Sequence, residues 1–361
     1  MTFSRRFFLI SVAGFFAWPL LESPVAAQLS VHPSDDKKLP PVPADEPIEG
    51  PVFLKCGPML GHVAPDRAFI WVKASNAARA SVKVSLHADL RESRLVPGPA
   101  LGAETGFAGV VEVPDLTPDT RYYYNVLLDD EPATARPALS FVTAPAKGGG
   151  KLRVAFVSCS GYRGYMSAAS WGEMAERADF DVLLQLGDNH YGNTSDLAKQ
   201  RANYTMHRQV AGFRALTAKV PCYGIWDDHD FGPNNSDTTL KGKEDSLRAF
   251  KEFWANPTYG LADTPGCFFK FSRGDVDFFM LDVRYHRSPD KAEKDEHKTM
   301  LGAAQLEWLK RELKASKARV KFIASGSVFE SKGSDDAWSM YPHERRALLD
   351  FLKDEVGDGV I

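Results

Sequence analysis

The sequence predicts an α/β protein carrying an all-β module ahead of it, and three observations carry that prediction. After residue 150, apolar runs alternate with helical stretches, the rhythm of a largely parallel sheet with helices on its faces. Between residues 51 and 145 the runs are short and several alternate with period two, as strands of a two-sheet sandwich do. The segment Ala144-Pro145-Ala146-Lys147-Gly148-Gly149-Gly150 separates the two compositions and reads as a hinge. With 361 residues, 44% of them hydrophobic, the chain has enough apolar material for two domains.

Residues 1–27 read as an export signal. Ser4-Arg5-Arg6-Phe7-Phe8-Leu9-Ile10 is a twin-arginine pattern, an apolar stretch follows to Leu21, and Val25-Ala26-Ala27 offers small residues for cleavage before Gln28. That stretch is shorter than the roughly 20 residues a membrane span needs. The expected partner is therefore the twin-arginine export machinery and the expected location is periplasmic or secreted. Residues 28–50, centred on Leu39-Pro40-Pro41-Val42-Pro43, read as a linker or extended arm.

In the module, strands are expected at 67–73, 81–86 and 110–113, and again at 141–143. The stretch Asp115-Leu116-Thr117-Pro118-Asp119-Thr120 turns into the Tyr-rich strand Arg121-Tyr122-Tyr123-Tyr124-Asn125-Val126. It resembles the corner of a fibronectin type III-like sandwich. No His, Asp and Glu cluster lies in this module, so it reads as packing or substrate-framing. Beyond the hinge, a buried strand at 152–157 precedes a helix at 168–178. A strand at 182–186, a helix at 195–218 and a strand at 220–226 follow. Then come a hairpin around Arg273-Gly274-Asp275, a helix at 303–316, a strand at 320–324 and a helix at 342–355 that opens on Pro342.

The formal net charge is -3 and no long basic run occurs, which argues against a nucleic-acid-binding module. The four cysteines, Cys56, Cys159, Cys222 and Cys267, could form two disulfides in an oxidising compartment or remain buried thiols, the reading favoured for Cys222.

The chemistry concentrates where three strands end. The first end presents Ser158-Cys159-Ser160, the second Gly187-Asp188-Asn189-His190-Tyr191, and the third Trp226-Asp227-Asp228-His229-Asp230. Adjacent parallel strands lie about 4.8 Å apart, so the loops after them can converge. Asp188, in a tight turn after Gly187, is the candidate bridge between two metals. Thiolate and phenolate from Cys159 and Tyr191 suit iron on one side. Carboxylate and amide oxygens from Asp228 and Asn234 or Asn235 suit a hard divalent ion on the other. Taken singly, each has an ordinary structural reading: a Gly-Asp turn, a rim tyrosine, a buried cysteine. Three acids within four residues are harder to leave uncompensated. His190 reads as a pocket-lining residue and His207 as solvated on a polar helix, while His286, His297 and His343 lack metal-ligand neighbours.

These motifs, with Phe279-Met280-Leu281-Asp282-Val283-Arg284, stand in an order that resembles the alkaline phosphatase D (PhoD-like) family of metallophosphatases. The resemblance implies a metallophosphoesterase-like α/β sandwich that hydrolyses phosphate mono- or diesters outside the cytoplasm. It implies Fe3+ and Ca2+ as cofactors. Cys159, Asp188 and Tyr191 would bind iron, Asp188 would bridge, and Asp227, Asp228 and Asn235 are the candidates for the second metal. A metal-bound hydroxide would attack phosphorus, with His229 stabilising the transferring group or protonating the leaving oxygen. Arg284 is either a phosphate clamp or a surface salt bridge.

The family pattern continues with a Gly-Asp-x-His strand, whereas Gly359-Val360-Ile361 reads only as the start of one. The sequence thus predicts a truncated chain, and an inactive remnant that binds phosphate esters is the alternative function. A serine hydrolase using Ser158 or Ser160 is a third reading, without a Gly-x-Ser-x-Gly elbow to support it.

Overall fold

The computed structural model describes residues 42–134, 137–148, 150–161, 168–331 and 334–361. The expected export signal and residues 28–41 of the arm lie outside the described residues. Among the described residues no helix is long and apolar enough to cross a membrane.

Eight strands make up the first part of the chain. They are β1 (Leu54–Val63), β2 (Ala68–Ala74), β3 (Ala78–Ser85), β4 (Arg94–Leu101), β5 (Ala108–Val113), β6 (Arg121–Leu128), β7 (Glu131–Pro132) and β8 (Leu139–Val142). β1, β2 and β5 form one antiparallel sheet, while β4, β3, β6 and β7 form a second, with β8 also on β6. Both sheets contribute to one buried cluster that includes Ile70, Val72, Val82, Val111, Tyr124 and Phe141. The expected strands at 67–73, 81–86, 110–113, 121–126 and 141–143 fall on β2, β3, β5, β6 and β8. β1 and β4 were not anticipated, because Gly57-Pro58 and Pro97-Gly98-Pro99 interrupt their patterns.

β1 is buried almost along its whole length because both of its faces are covered. Leu54, Leu60 and Val63 point into the cluster just described, whereas Cys56 and Met59 join a second cluster made mostly of later residues. Trp71 of β2 does the same, and its indole donates to the carbonyl of Glu252 at 2.7 Å. The two parts of the chain therefore share a core.

The described end of the arm is docked. Asp45 accepts from Lys55 Nζ at 2.8 Å and from Thr205 Oγ1 at 2.8 Å, and pairs with buried Lys73 Nζ at 2.9 Å. Of the two readings, linker or extended arm, residues 42–50 follow the second, as an arm held against the core. Burial pushes the Asp45 carboxyl up, but Lys73, Lys55 and Thr205 more than offset this and hold it below its ordinary value. Its stabilisation is fully present above the unfolded carboxylate pKa of about 4 and is lost as pH falls through the lower folded value. Asp45→Ala is expected to cost about 3–5 kcal/mol at neutral pH, because it leaves Lys73 buried without a counter-charge. Urea unfolding at neutral pH, compared with pH 3, checks both the size and the window.

The second part holds the parallel sheet β9 (Val154–Val157), β10 (Val182–Leu186) and β11 (Cys222–Ile225), in the order β11-β10-β9. A further sheet joins the antiparallel hairpin β12 (Phe269–Arg273) and β13 (Val276–Met280) to β14 (Val320–Ala324), which runs parallel to β13. Val360 forms a parallel bridge with Lys321 of β14. The helices are α1 (Ala168–Arg177), α2 (Leu197–Arg208), α3 (Ala211–Thr217), α4 (Asp228–Phe231), α5 (Lys243–Phe253), α6 (Ala303–Ala315) and α7 (Pro342–Phe351).

Three expectations change here. β9 is an edge strand and only partly covered, with Phe156 46% exposed, so it is not the buried strand the apolar run predicts. The single helix expected at 195–218 breaks into α2 and α3 at Gln209 and Val210. The break brings α3 against α1 so closely that a Cβ on Gly212 would lie 2.4 Å from the nitrogen of Gly172. His207, expected in solvent, is fully buried. The four cysteines are free thiols.

Candidate metal centre

The register of the parallel sheet brings three loops to one edge. Val157 pairs with Gln185, and Leu186 with Ile225, so β9, β10 and β11 end almost level. The loops after them then cross-link. Cys159 N–H donates to Gly187 O at 3.2 Å, and Ser160 N–H to Asp188 O at 3.0 Å. Asp230 clamps the second loop to the third: its carboxylate accepts from Asn189 N–H at 2.7 Å, His190 N–H at 3.1 Å and Asn189 Nδ2 at 2.9 Å. Gly187 is required at its position. Its φ is 105°, and a Cβ there would sit 2.5 Å from Asp227 N, so the loops could not approach with any other residue.

The backbone around the edge is unusual. Cys159, Asp188, Tyr191, Asn193 and Asn235 all adopt left-handed conformations, with φ between 52° and 58°. Asn and Asp tolerate this region, but Cys and Tyr do so at a cost of about 1–2 kcal/mol each. Such strain persists where surrounding contacts fix the side chains in place.

Asp188 stands at the centre, 7% exposed. One oxygen, Oδ2, lies 3.5 Å from Cys159 Sγ, and the Tyr191 hydroxyl bonds with both groups. The other, Oδ1, accepts from His229 N–H at 3.4 Å. Ligand atoms of Asp188, Asp228 and His229 lie within 4.8 Å of one another. His229 stacks on Tyr191 with ring centroids 4.5 Å apart, and its Nδ1 lies 2.5 Å from Asn193 Oδ1. The amide oxygen is an acceptor, so the proton belongs on Nδ1 and Nε2 is left with a free lone pair, 3.9 Å from Asp228 Oδ2.

A second triad, Asp227, Asp228 and Asp336, also fits within 4.8 Å. This one carries its own cation. Arg284 is fully buried, donates through Nε to Asp227 at 2.6 Å, and grips Asp336 through Nη1 at 3.0 Å and Nη2 at 2.5 Å. Nη1 also reaches Ser236 O and Nη2 reaches Ser327 Oγ, so the fork is engaged on every side. Arg284 is thus not a surface salt bridge, and its N–H groups are taken up by protein acceptors. It is a buried anchor, joined by Arg287, which holds Asp336 at 2.5 Å.

The electrostatics separate the two triads. Burial first, then repulsion from Asp227, Asp228 and Asp230, pushes the Asp188 carboxyl up to about 9. Burial and Asp188 push the Cys159 thiol up to about 12, and burial likewise raises the Tyr191 phenol. Asp228 is buried too, which raises its pKa, yet Arg284, His229 and backbone donors hold it below its ordinary value. Burial, opposed by Arg284, brings Asp227 to about 6. The side of the site without an arginine is the one whose ligands repel one another.

The cluster brings together Cys159, Asp188, Tyr191, Asp228 and His229. Asn235 sits beside it and donates its backbone N–H to Asp228 at 2.8 Å, while its side-chain oxygen faces Asn234. Asp227 faces Arg284. His190 lies behind the site, fully buried against Tyr204, and does not line the pocket. Ser160 is buried, and its hydroxyl donates to Gln185 Oε1 at 3.3 Å. Asp336, Ser327, Arg287 and Asn193 were not anticipated as site residues.

A PhoD-like phosphatase family model matches residues 154–361, more than half of the chain. The chain belongs to the PhoD-like phosphatase family. Residues 52–146 match a separate domain of unknown function, DUF7800. Among curated PhoD relatives, alkaline phosphatase D of Bacillus subtilis (strain 168) is 25% identical over 305 residues, covering 70% of this chain. The alignment covers 51% of that relative, so the chain spans about half the length of the curated protein it matches. A solved PhoD structure superposes with a TM-score of 0.70 at 20% identity, covering 87% of this chain and 72% of the other. A purple acid phosphatase from yellow lupin (Lupinus luteus) superposes at 0.52 with 16% identity, covering 74% of this chain and 50% of the other. These likenesses establish a common α/β fold for the PhoD-like part.

Proposed function

We propose that this PhoD-like chain is an exported phosphoester hydrolase, acting on mono- or diesters, with two cations held around Asp188. One observation carries the reading. Asp188 turns one oxygen toward Cys159 and Tyr191 and the other toward His229 and Asp228, and the two buried arginines at this edge among the described residues, Arg284 and Arg287, are anchored among the other acids. The donor set fits two different cations. Thiolate and phenolate beside Asp188 suit Fe3+, with Cys159 and Tyr191 as ligands. Carboxylate and amide oxygen suit Ca2+, with Asp228 as ligand and Asn235 beside it. Bound there, the cations would supply Lewis acidity toward phosphoryl oxygens and acidify water at the edge of the sheet.

The chain's own residues do the rest. His229, held by Asn193 and flat against Tyr191, presents Nε2 toward the side of the cluster where an ester oxygen would lie. As the neutral imidazole it offers only a lone pair there, and steadying the transferring group or passing a proton to the leaving oxygen requires that Nε2 first take up a proton. Arg284 fixes Asp227 and Asp336 and leaves Asp228 free to face the cluster. We read the module at 51–145 as a fibronectin type III-like sandwich that frames the substrate, and the twin-arginine pattern as directing the protein to the periplasm or beyond.

Metal analysis with p-nitrophenyl phosphate and its bis-ester tests the proposal. Iron and calcium at about one each per chain, with turnover lost on chelation and regained on adding them back, is the expected result. Undiminished turnover by protein stripped of both metals overturns it.

A further inference from the structure

The inner face of α2 is polar where an amphipathic helix is normally apolar. Gln200, Asn203, Tyr204, His207 and Arg208 recur at the i, i+3, i+4, i+7, i+8 spacing of one helix face, and all are buried. Most of the buried side-chain N and O atoms without a protein partner, among the described residues, belong to this stripe and the groups it covers. The atoms differ in kind: Gln200 Oε1 and Asn203 Oδ1 are acceptors that a water could serve, whereas Arg208 Nε and Nη1 are donors that need an acceptor.

The far end of the stripe is cationic. The guanidinium of Arg208 makes one hydrogen bond, from Nη2 to Phe253 O at 3.2 Å, while Nε and Nη1 have no protein partner. It lies 4.4 Å from the ring of Trp254, 4.9 Å from that of Phe213 and 5.7 Å from that of Tyr204. Trp254 Nε1 faces the Tyr204 oxygen, and neither atom has another protein partner, which leaves the Tyr204 O–H without an acceptor. No carboxylate forms an ion pair with Arg208 among the described residues. The neighbouring thiols cannot serve, since burial pushes Cys56 up to about 12 and Cys222 up to about 11. Asp230 is committed to Asn189, His190 and the metal loops.

We propose that Arg208 and the Tyr204 hydroxyl, beside Trp254, hold a buried monovalent anion of halide size. The donor inventory favours an anion over water. The guanidinium offers only N–H groups and the phenol one O–H, since the phenol oxygen faces the indole N–H. A water accepting from them must direct its own two hydrogens at aromatic walls, whereas a halide accepts several donors and donates none. A cation in an aromatic cage gains some stabilisation from the rings, but its unpartnered N–H groups remain desolvated.

The test is a crystal of the full protein grown or soaked in bromide, with data at the bromine edge. An anomalous peak within hydrogen-bond distance of Arg208 Nε or Nη1 is the expected result. Density there that carries no anomalous signal, as water would give, overturns the proposal. In solution, the melting temperature of wild-type protein should shift upward in chloride or bromide relative to glutamate at matched ionic strength. Arg208→Met should lose that anion-specific shift. If the variant does not fold, the wild-type anomalous map alone decides.

Discussion

Asp188→Asn is expected to abolish hydrolysis while making the metal-free protein harder to unfold. The two effects have one origin. Asp188 is buried among Asp227, Asp228 and Asp230, which pushes its carboxyl up to about 9. In the folded, metal-free chain it therefore binds a proton over a range where the unfolded chain, with a carboxylate pKa of about 3.9, has released it. Stability then falls as pH rises from about 4 to about 9. Asparagine keeps the shape and removes that dependence, so the melting temperature of chelated protein should rise and flatten across this window. With metals present the same change removes the carboxylate that faces both halves of the cluster. A loss in turnover of about 10³-fold or more is expected, equivalent to about 4 kcal/mol of transition-state stabilisation. Melting curves from pH 5 to 9 with a chelator, beside turnover of p-nitrophenyl phosphate, check both signs. A variant that turns over at the wild-type rate would remove Asp188 from the proposed machinery.

Arg284→Met should produce the largest loss of stability from a single residue at this edge. The side chain is fully buried and compensates Asp227 and Asp336 directly, with Asp228 3.8 Å away. Removing it leaves three acids within reach of one another, Asp227 and Asp228 without their cation and Asp336 with Arg287 alone. Breaking a buried pair in this way costs about 3–5 kcal/mol, a large part of the 5–15 kcal/mol that holds a typical domain together. Arg284→Lys restores the charge but not the fork that meets Asp227 through Nε and Asp336 through both terminal nitrogens, so it should recover only part of the loss. Urea midpoints of the two variants give the comparison. Turnover should fall in both, because Asp228 then shares repulsion that Arg284 now absorbs.

The apolar runs before Asp188 and Asp227 made the strands and the loops after them readable, since period and composition are local signals. Cys159, Asp188, Tyr191, Asp228 and His229 converge because the sheet ends level, which three successive strand ends already implied. Asp336 was not readable in this way. Its partner Arg284 lies 52 residues earlier, and nothing in the neighbourhood of either residue encodes the pairing. The surroundings of Arg284 were not readable either, because an arginine after a strand carries no sign of whether it faces water or a cluster such as Asp227, Asp228 and Asp336. The polar face of α2 misled in the opposite direction. Periodic polar residues normally mark the solvent side, and here Gln200, Tyr204, His207 and Arg208 line the interior. α5 escaped notice because Lys243–Phe253 mixes charged residues with Phe250 and Phe253 and lacks a side-chain cap at its start.

Trp71, Cys56 and Met59 belong by position to the module and by packing to the catalytic core. The gap between residues 146 and 154, where one matched domain ends and the next begins, is thus not a seam in the packing. A gene cut there would yield two pieces, each with a raw aromatic face. Recombination between relatives would have to exchange β1, β2 and the wall they press against as one cassette.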